Sequence, residues 1–424
     1  MTAVIANKLE GLLKQFVQWL DGYGPVSQDQ YDFWSFPPGQ KAKAVYYKNA
    51  KLGGLLVAPF FFLESFAPAT RKWFTPPRRF AIADAHYAMG FLFLHRATGA
   101  TGYYDRGRSY LEELIRSRCP GYEHYCWGYP FEWETCFGTF HAGTPLITTV
   151  PYVYEAFRDM YEVDGSERWL EIVHSIAEHV YHDYTDADIS ATASAASYSP
   201  FDKRMVLNAN AYRAYIMTEA SIRFNNDAYW KKGERNINYI LEVQNPDGSW
   251  FYATDGKDRF IDNYHTCFNL KNLAKIDALK PSASIQESIR RGVEYYLSHL
   301  VDEHRLPVPF AKKPRITLHK RELYDYAEFL NMSLLLRDRF AELNEVRQIV
   351  FDDFSSQWIK PDGSFRTRKL LFGWNNVPYH RWAQSQMFRS LAFWYHLERE
   401  AAAMAEEKVP MREWNHAENA DVRN

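Results

Sequence analysis

The chain has 424 residues, a formal charge of −2 and 17% aromatic residues, among them 13 Trp and 29 Tyr. It contains no tract of clustered Lys and Arg, which argues against a nucleic-acid partner. Hydrophobic residues make up 46% of the sequence, enough to fill a large core, and we expect a single domain over residues 1–424.

The first 78 residues begin with an amphipathic segment, residues 4–20, which predicts an outer helix followed by an irregular lead-in. The N-terminus lacks the basic start, apolar middle and cleavage site of a secretory signal. An apolar run at residues 52–66 is too short to span a bilayer and contains Pro59 and Glu64. We predict a buried turn or helix edge there, with peripheral membrane contact as the less favoured alternative, and no transmembrane segment.

The four cysteines, at positions 119, 126, 136 and 267, are few for a disulfide scaffold and predict a reducing, cytoplasmic compartment. Three of them lie near His124, but their spacing matches no usual zinc motif. The sequence also lacks a Walker loop and a dinucleotide fingerprint. We therefore predict no metal and no other cofactor.

From residue 79 to residue 398, a pattern recurs about every 60 residues, as helical hairpin repeats do. Each unit has an apolar segment, a short turn, an amphipathic segment and a long aromatic loop. Segments that are apolar on most sides predict buried inner helices, at residues 80–97, 143–161, 207–224, 264–276, 324–340 and 380–397. With six outer partners they predict an all-α, (α/α)6 toroid, followed by a charged tail at residues 399–424.

The loops of this predicted toroid differ in length. Connections from inner to outer helices are short, whereas those from outer to inner helices run to roughly 19–25 residues, which is long for a compact domain. Because the inner helices would be parallel, all the long loops meet at one end, where the inner helices begin. Long loops on a rigid scaffold and free helix N–H groups favour a binding site at that end.

The long loops and the first turns of the inner helices contain the candidate functional residues. The carboxylate, Tyr and His candidates for catalysis are Glu132, Glu134, Asp262, Tyr264, His265 and Asp325. The candidates for substrate binding are His86, Trp127, Trp133, Asn208, Asn210, Trp250, Tyr324, Trp374, Tyr379, Arg381 and Gln384.

Several of these residues have a purely structural alternative. Asn208 and Asp262 stand where helix caps are expected, and capping explains them at least as well as binding. Glu132 and Glu134 are as well explained by exposure or salt bridges. A lone helical His such as His86 is more often part of the core or surface than of a catalytic site.

Five stretches resemble a family of (α/α)6-toroid proteins of bacterial exopolysaccharide clusters, related in fold to six-hairpin glycosidases. They are residues 127–133, 143–145, 208–210, 262–265 and 378–382. The turn at residues 244–250 resembles the repeat turn of terpenoid-cyclase and prenyltransferase toroids, and its Pro-Asp-Gly-Ser core recurs at residues 361–364. The resemblance implies a sugar context, while residues 186–189 lack the final acidic residues of the cyclase acid motif.

The favoured hypothesis is an enzyme acting on a neutral or acidic oligo- or polysaccharide by glycosidic hydrolysis. This reaction needs one protonated and one ionised carboxyl across the sugar, for which Glu132 or Glu134 would face Asp262 or Asp325. Its substrate would stack on the indoles of Trp127, Trp133, Trp250 and Trp374.

Three alternatives remain open. A uronate lyase or C5-epimerase would use Tyr264 or His265 as acid and base, with Asn210 and Arg381 neutralising the sugar carboxylate. A terpenoid-cyclase-like enzyme would have a funnel lined by Phe and Leu. A non-catalytic glycan-binding scaffold would bind sugar without turnover.

Overall fold

The computed structural model describes residues 2–256, 258–314 and 317–407. Within them, six inner helices are α5 (Ala81–Thr98), α7 (Val150–Asp164), α9 (Leu207–Arg223), α11 (Asn263–Leu279), α13 (Leu323–Leu335) and α15 (Ser385–Glu407). Consecutive inner helices contact one another, and α15 contacts both α13 and α5, which closes the ring. The predicted all-α, (α/α)6 toroid is confirmed. The end of the predicted C-terminal tail, residues 408–424, lies outside the described residues.

Each inner helix packs against one amphipathic outer helix. The outer helices are α1 (Thr2–Tyr23), α6 (Thr101–Arg116), α8 (Glu167–His182), α10 (Asp227–Glu242), α12 (Ala283–His299) and α14 (Ala341–Gln357). The N-terminal helix α1 pairs with α15, so the first and last segments of the chain form the sixth hairpin. This pairing explains why the sequence shows five complete repeats and one split between its ends.

The two Pro-Asp-Gly-Ser turns, residues 246–249 and 361–364, have the same geometry. In each, the aspartate Oδ1 accepts a hydrogen bond from the serine amide at 3.0 Å. The glycine φ values are +90° and +87°, and an added Cβ would lie 2.3 or 2.6 Å from a carbonyl oxygen of α12 or α1. Only glycine fits this backbone at such close approach. The equivalent contacts make α1 the structural counterpart of α12.

The lead-in between α1 and α5 is helical where the sequence predicted an irregular segment. It forms α2 (Asp32–Ser35), α3 (Pro37–Lys48) and α4 (Ala50–Phe66), followed by a 3-10 turn at Pro68–Trp73. Asn49 caps α4 by accepting hydrogen bonds from two amides at 3.1 Å. The prediction that residues 52–66 form a buried turn or helix edge is wrong, because several large apolar side chains of α4 face solvent.

Short antiparallel ribbons stiffen the long loops. They are formed by β1 (Trp133–Thr135) with β2 (Gly138–Phe140), β3 (Asp186–Asp188) with β4 (Ser194–Ala196), β5 (Ile261–Asp262) with β6 (Phe310–Lys312), and β7 (His319–Glu322) with β8 (Arg368–Leu370) and β9 (Trp374–Asn375). The β5–β6 and β7–β8 pairs join successive long loops, so the rim is a connected surface. The core lies between the inner and outer rings.

Candidate active site

A cavity of about 380 Å³ opens among the long loops, at the end of the toroid where the inner helices begin. The start of each inner helix, or the segment just before it, contributes to the wall; for α15 this is the π-helical turn at His380–Gln384. Among the residues predicted from the sequence, those that line it are Trp133, Asn208, Asp262, Tyr264, His265, Tyr324 and Arg381. Residues far apart in sequence therefore meet here because the parallel inner helices all start at this end.

His265 and Asp262 form a hydrogen-bonded pair in the cavity wall. Asp262 immediately precedes α11, yet its side chain caps no backbone amide of that helix. Its two oxygens lie 2.9 and 2.7 Å from Nδ1 of His265, one turn further along. Asp262 is 2% exposed. An aspartate that accepts from Nδ1–H fixes the tautomer and leaves the lone pair on Nε2, as a general base requires.

Aromatic rings surround this pair. The His265 ring lies 4.4 Å from that of Tyr264 and 4.6 Å from that of Tyr252, between centroids. Burial, reinforced by the charge of Asp262, raises the pKa of the Tyr264 hydroxyl well above its usual range. Tyr264 therefore keeps its proton at neutral pH, which suits a proton donor.

An aromatic wall continues from Tyr264 around the cavity. The ring of Tyr324 meets that of Tyr264 edge to face at 5.1 Å and stacks on the indole of Trp382 at 4.7 Å. The Trp382 indole donates to the buried carboxylate of Glu322, which also accepts from Arg368 at 2.8 Å. Flat aromatic faces of this kind pack well against sugar rings.

The arginines of the cavity already have acidic partners. Arg381 donates to both oxygens of Asp29, at 2.8 and 2.6 Å. Arg204 donates to Asp255 at 3.0 Å and to Asp258 at 2.8 Å. These pairs hold the guanidinium groups in place, and the acidic partners offset their positive charge. The sequence identified Arg381 as a carboxylate binder, and the carboxylate that it binds in this structure is Asp29.

The two asparagines at the start of α9 have different surroundings. Asn210 is buried; its side-chain oxygen accepts from the amide of Ala196 at 2.6 Å, and its nitrogen donates to Val206 at 2.9 Å. Asn208 lines the cavity, and its buried Oδ1 has no hydrogen-bond partner among the described residues. A buried polar atom without a partner costs free energy, which a ligand donor in the cavity would recover. Of the two asparagines, Asn208 lies in the cavity wall and Asn210 does not.

The other predicted carboxylates lie elsewhere. Glu132 and Glu134 belong to the β1–β2 region of the rim, where Glu132 accepts from His141 at 2.8 Å and Glu134 accepts from Thr139 at 2.5 Å. Neither lines the cavity. Asp325 is 1% exposed in α13, and burial, followed by the charges of Glu322 and Asp262, raises its pKa well above the usual range.

Three of the predicted tryptophans lie outside the cavity lining. Trp127 is fully buried and donates to the carbonyl oxygen of Leu114 at 2.8 Å. Trp250 is also buried and donates to Ile240 at 3.1 Å. Trp374, in β9, packs edge to face on Trp358 at 5.0 Å. Aromatic content alone cannot separate these packing residues from Trp133, whose position in the cavity depends on the loop conformation.

Tyr379 and Gln384, around the π-helical turn at His380–Gln384, also support the scaffold. Tyr379 is buried, with its hydroxyl 3.1 Å from the Asn375 amide nitrogen. The Gln384 amide accepts from the backbone of Phe365 at 3.0 Å and donates to it at 2.8 Å. Both side chains hold the fifth long loop against the last inner helix.

His86 belongs to a buried polar layer beneath the cavity. Its ring lies 4.4 Å from that of Tyr152, which does line the cavity. Burial, followed by the charge of Arg389, lowers the pKa of His86 well below its usual range. In the same layer, Lys271 bonds to Glu328, and burial lowers the Lys271 pKa to about 8. His86 is therefore neutral and lies below the cavity wall.

Several cavity residues were not identified from the sequence. They are Tyr31, Lys43, Tyr47, Tyr129, Tyr198, Arg204, Tyr252 and Trp382. The first three come from the lead-in, which folds over one side of the opening. Trp382 directly follows Arg381, a predicted site residue, and this position next to Arg381 was the signal that could have identified it. The others lie in long loops among many similar tyrosines, where no spacing distinguishes a cavity residue.

The chain matches no protein-family model and no curated protein. Solved structures do share its fold. A cellobiose 2-epimerase from Bacillus thermoamylovorans matches with a TM-score of 0.59 and 7% identity over 76% of this chain and 88% of that one. A sugar epimerase from a ruminal bacterium matches with a TM-score of 0.58 and 10% identity over 75% of this chain and 87% of that one. An α-1,6-mannanase from Salegentibacter matches with a TM-score of 0.54 and 10% identity over 77% of this chain and 90% of that one.

These matches define the class of fold to which the chain is similar, the (α/α)6 toroid of the six-hairpin glycosidases and sugar epimerases. At 7–10% sequence identity, these matches show similarity of fold alone. The described residues contain no helix that is both long and apolar enough to cross a membrane.

Proposed function

We propose that this protein is a carbohydrate-active enzyme that removes a proton from a carbon of an acidic sugar, as an epimerase or a lyase. The observation that carries the proposal is the His265–Asp262 pair in the cavity wall beside the protonated Tyr264. An imidazole base, a phenol acid and an aromatic wall are suited to proton transfer on a sugar ring. The sugar epimerases similar in fold support the same kind of chemistry.

In the proposed reaction, Nε2 of His265 accepts the proton from the carbon next to the sugar carboxylate. Asp262 stabilises the imidazolium that forms. Tyr264, whose ring packs against that of His265 at 4.4 Å, lies on the same side of the sugar and donates a proton to the leaving oxygen, which gives elimination. In epimerisation, the opposite face of the carbon takes its proton from another tyrosine hydroxyl of the cavity wall. Oδ1 of Asn208, which has no hydrogen-bond partner among the described residues, would accept a hydrogen bond from a sugar hydroxyl. The basic side chains that line the cavity, Lys43, Arg204 and Arg381, are the candidates to bind the sugar carboxylate.

Glycosidic hydrolysis, the function favoured from the sequence, is less well supported. Among the described residues that line the cavity, the carboxylates are Asp258 and Asp262, and both already bind a basic side chain. A glycosidase needs one protonated and one ionised carboxyl on either side of the sugar. Asp325 has the raised pKa of such an acid but does not line the cavity.

The two remaining alternatives have less support still. The cavity wall contains Arg, Asp, Asn and many tyrosine hydroxyls, which do not suit an isoprenoid funnel. A non-catalytic glycan scaffold has no need of an oriented histidine. The exopolysaccharide context and the cytoplasmic location predicted from the sequence are part of the proposal, and fractionation of the source cells tests the location.

Incubation with a panel of acidic and neutral oligosaccharides in deuterium oxide tests the reaction. Deuterium at the carbon beside the carboxylate without cleavage identifies an epimerase, and a new ultraviolet-absorbing double bond identifies a lyase. A new reducing end without a double bond would contradict the proposal and restore hydrolysis. Binding without any turnover would leave the scaffold alternative.

A further inference from the structure

An apolar stripe on α4 faces solvent. Its side chains Leu52, Leu55, Leu56, Phe62 and Phe66 are 55, 76, 44, 60 and 54% exposed. Their spacing of three, four, ten and fourteen residues from Leu52 places them on one face of the helix. Monomeric proteins rarely leave such a contiguous apolar patch in water, and a patch of this kind marks an interaction surface.

The two helices α3 and α4 together carry an excess of positive charge, although the whole chain carries a formal charge of −2. Lys41, Lys48, Lys51 and Lys72 are exposed on or beside α3 and α4. The acidic residue within these two helices is Glu64, which accepts from Trp34 at 3.0 Å and pairs with Arg368 at 3.4 Å. An apolar face with lysines around it is typical of helices that lie in the interface of an anionic membrane.

The α3–α4 hairpin, Pro37–Phe66, is a defined structural unit. Its helices pack so closely that a Cβ on Gly53 would lie 2.1 Å from the Cα of Tyr46. At its base, Gly39 packs against the backbone of Phe33 with equal tightness, at 1.8 Å for an added Cβ. The hairpin therefore presents its apolar stripe on a rigid support, and little conformational entropy is lost when it binds.

The hairpin also adjoins the cavity. Lys43 and Tyr47, both on α3, line the cavity wall. A surface that binds the α4 stripe would therefore lie beside the opening through which substrate enters. With 17 residues, α4 is about 25 Å long and suits a position in the plane of the interface.

We propose that the α3–α4 hairpin binds the surface of an anionic lipid bilayer. The Leu and Phe side chains of α4 enter the boundary between headgroups and acyl chains, and the lysines contact the lipid phosphates. This inference concerns attachment and does not depend on the reaction proposed above. The exposed stripe supports the peripheral membrane contact that was the less favoured alternative in the sequence analysis.

Sedimentation with vesicles tests the proposal. The full chain is expected to sediment with phosphatidylcholine vesicles that contain phosphatidylglycerol, and much less with phosphatidylcholine alone. Leu55→Glu with Phe62→Glu should weaken binding more than about tenfold, because charge in the acyl boundary is costly. The matched control is Val4→Glu on α1, whose side chain is 74% exposed against 76% for Leu55. It should bind as the unaltered chain does.

A second variant tests the charge contribution. Lys48→Glu with Lys51→Glu should also weaken binding to the anionic vesicles about tenfold or more, since each lysine near such a surface contributes about 1 kcal/mol. Binding that is absent in the unaltered chain, or equal in all variants, would overturn the proposal. So would a dimer in analytical ultracentrifugation that the Leu55→Glu, Phe62→Glu variant dissociates while vesicle binding is absent, because a second copy would then cover the stripe.

Discussion

Oδ2 of Asp262 accepts a hydrogen bond from Nδ1 of His265 across 2.7 Å, one helical turn apart at the start of α11. The geometry uses the i, i+3 spacing of a helix terminus to hold an imidazole toward the cavity. The carboxylate that would ordinarily cap the helix instead orients the proposed base. The proposed proton transfer therefore depends on two residues three positions apart, one before the helix and one in its first turn.

Replacement of the proposed base should remove most of the activity. His265→Gln keeps a polar side chain but cannot accept the substrate proton, so kcat should fall by about 10²–10⁴-fold, the usual contribution of a positioned acid or base. Steady-state kinetics on the substrate identified from the panel measure this. Full activity in the folded variant would exclude His265 from the reaction.

Asp262 acts through His265 and should behave as a positioning residue. Asp262→Asn should lower kcat by a smaller factor than His265→Gln, with KM nearly unchanged, because the amide keeps the size of the side chain but not its charge. Asp262→Glu should recover part of the loss. Circular dichroism provides the control, since an equal loss of helix content in both variants would indicate damage to the fold instead.

The buried carboxyl of Asp325 separates the proposed reaction from hydrolysis. Burial raises its pKa well above the usual range, which favours the protonated, neutral form of the carboxyl. Asp325→Asn is then a neutral, equally sized replacement, and we expect activity to be retained and the free energy of unfolding to change by no more than about 1 kcal/mol. Loss of turnover in a stable Asp325→Asn protein would favour a glycosidase acid at this position.

Stability should fall in mild acid because of His380. Its imidazole lies 2.5 Å from the Tyr87 hydroxyl and 3.0 Å from the Gly24 carbonyl oxygen, and burial lowers its pKa to about 4. The unfolded chain takes up this proton near pH 6.5, so the native state loses stability as the pH falls from about 6.5 to 4. The loss between pH 7 and pH 5 should be about 2 kcal/mol.

Denaturant unfolding at the two pH values measures this loss. His380→Gln has no titrating group at this position. Its loss of stability between pH 7 and pH 5 should therefore be smaller than that of the unaltered chain by about 2 kcal/mol, even though the variant is less stable overall. An unchanged dependence on pH in the variant would assign the acid sensitivity to other groups.

The Arg381–Asp29 pair should contribute strongly to stability. Both side chains are almost fully buried, with two hydrogen bonds between them. Asp29→Ala leaves the guanidinium buried without its partner, which should destabilise the fold by about 3–5 kcal/mol. Adding Arg381→Met to this variant should cost little more, because the uncompensated charge is then removed. Additive losses in a double-mutant cycle would contradict this coupling.

The periodicity of the sequence determined the architecture. Segments apolar on all sides had to be buried between charged, one-sided segments, and short and long connections alternated in a way that placed the long loops at one end. The same pattern brought residues 208, 262–265, 324 and 381 toward one opening, because each stands at or near the start of an inner helix.

The tertiary structure alone decided which side chains reach the cavity. Trp127 and Trp133 stand in the same loop, yet one is in the core and the other in the cavity wall. Asn208 and Asn210 differ in the same way on one helix. The sequence could not separate cavity residues from core residues, because burial and pairing depend on contacts with distant segments, such as Asp29 with Arg381. It also could not show that the apolar residues of α4 face solvent, since their composition is that of a core segment. Local sequence patterns determine where the helices form, whereas the partner of each polar side chain is determined only when the helices assemble into the closed toroid.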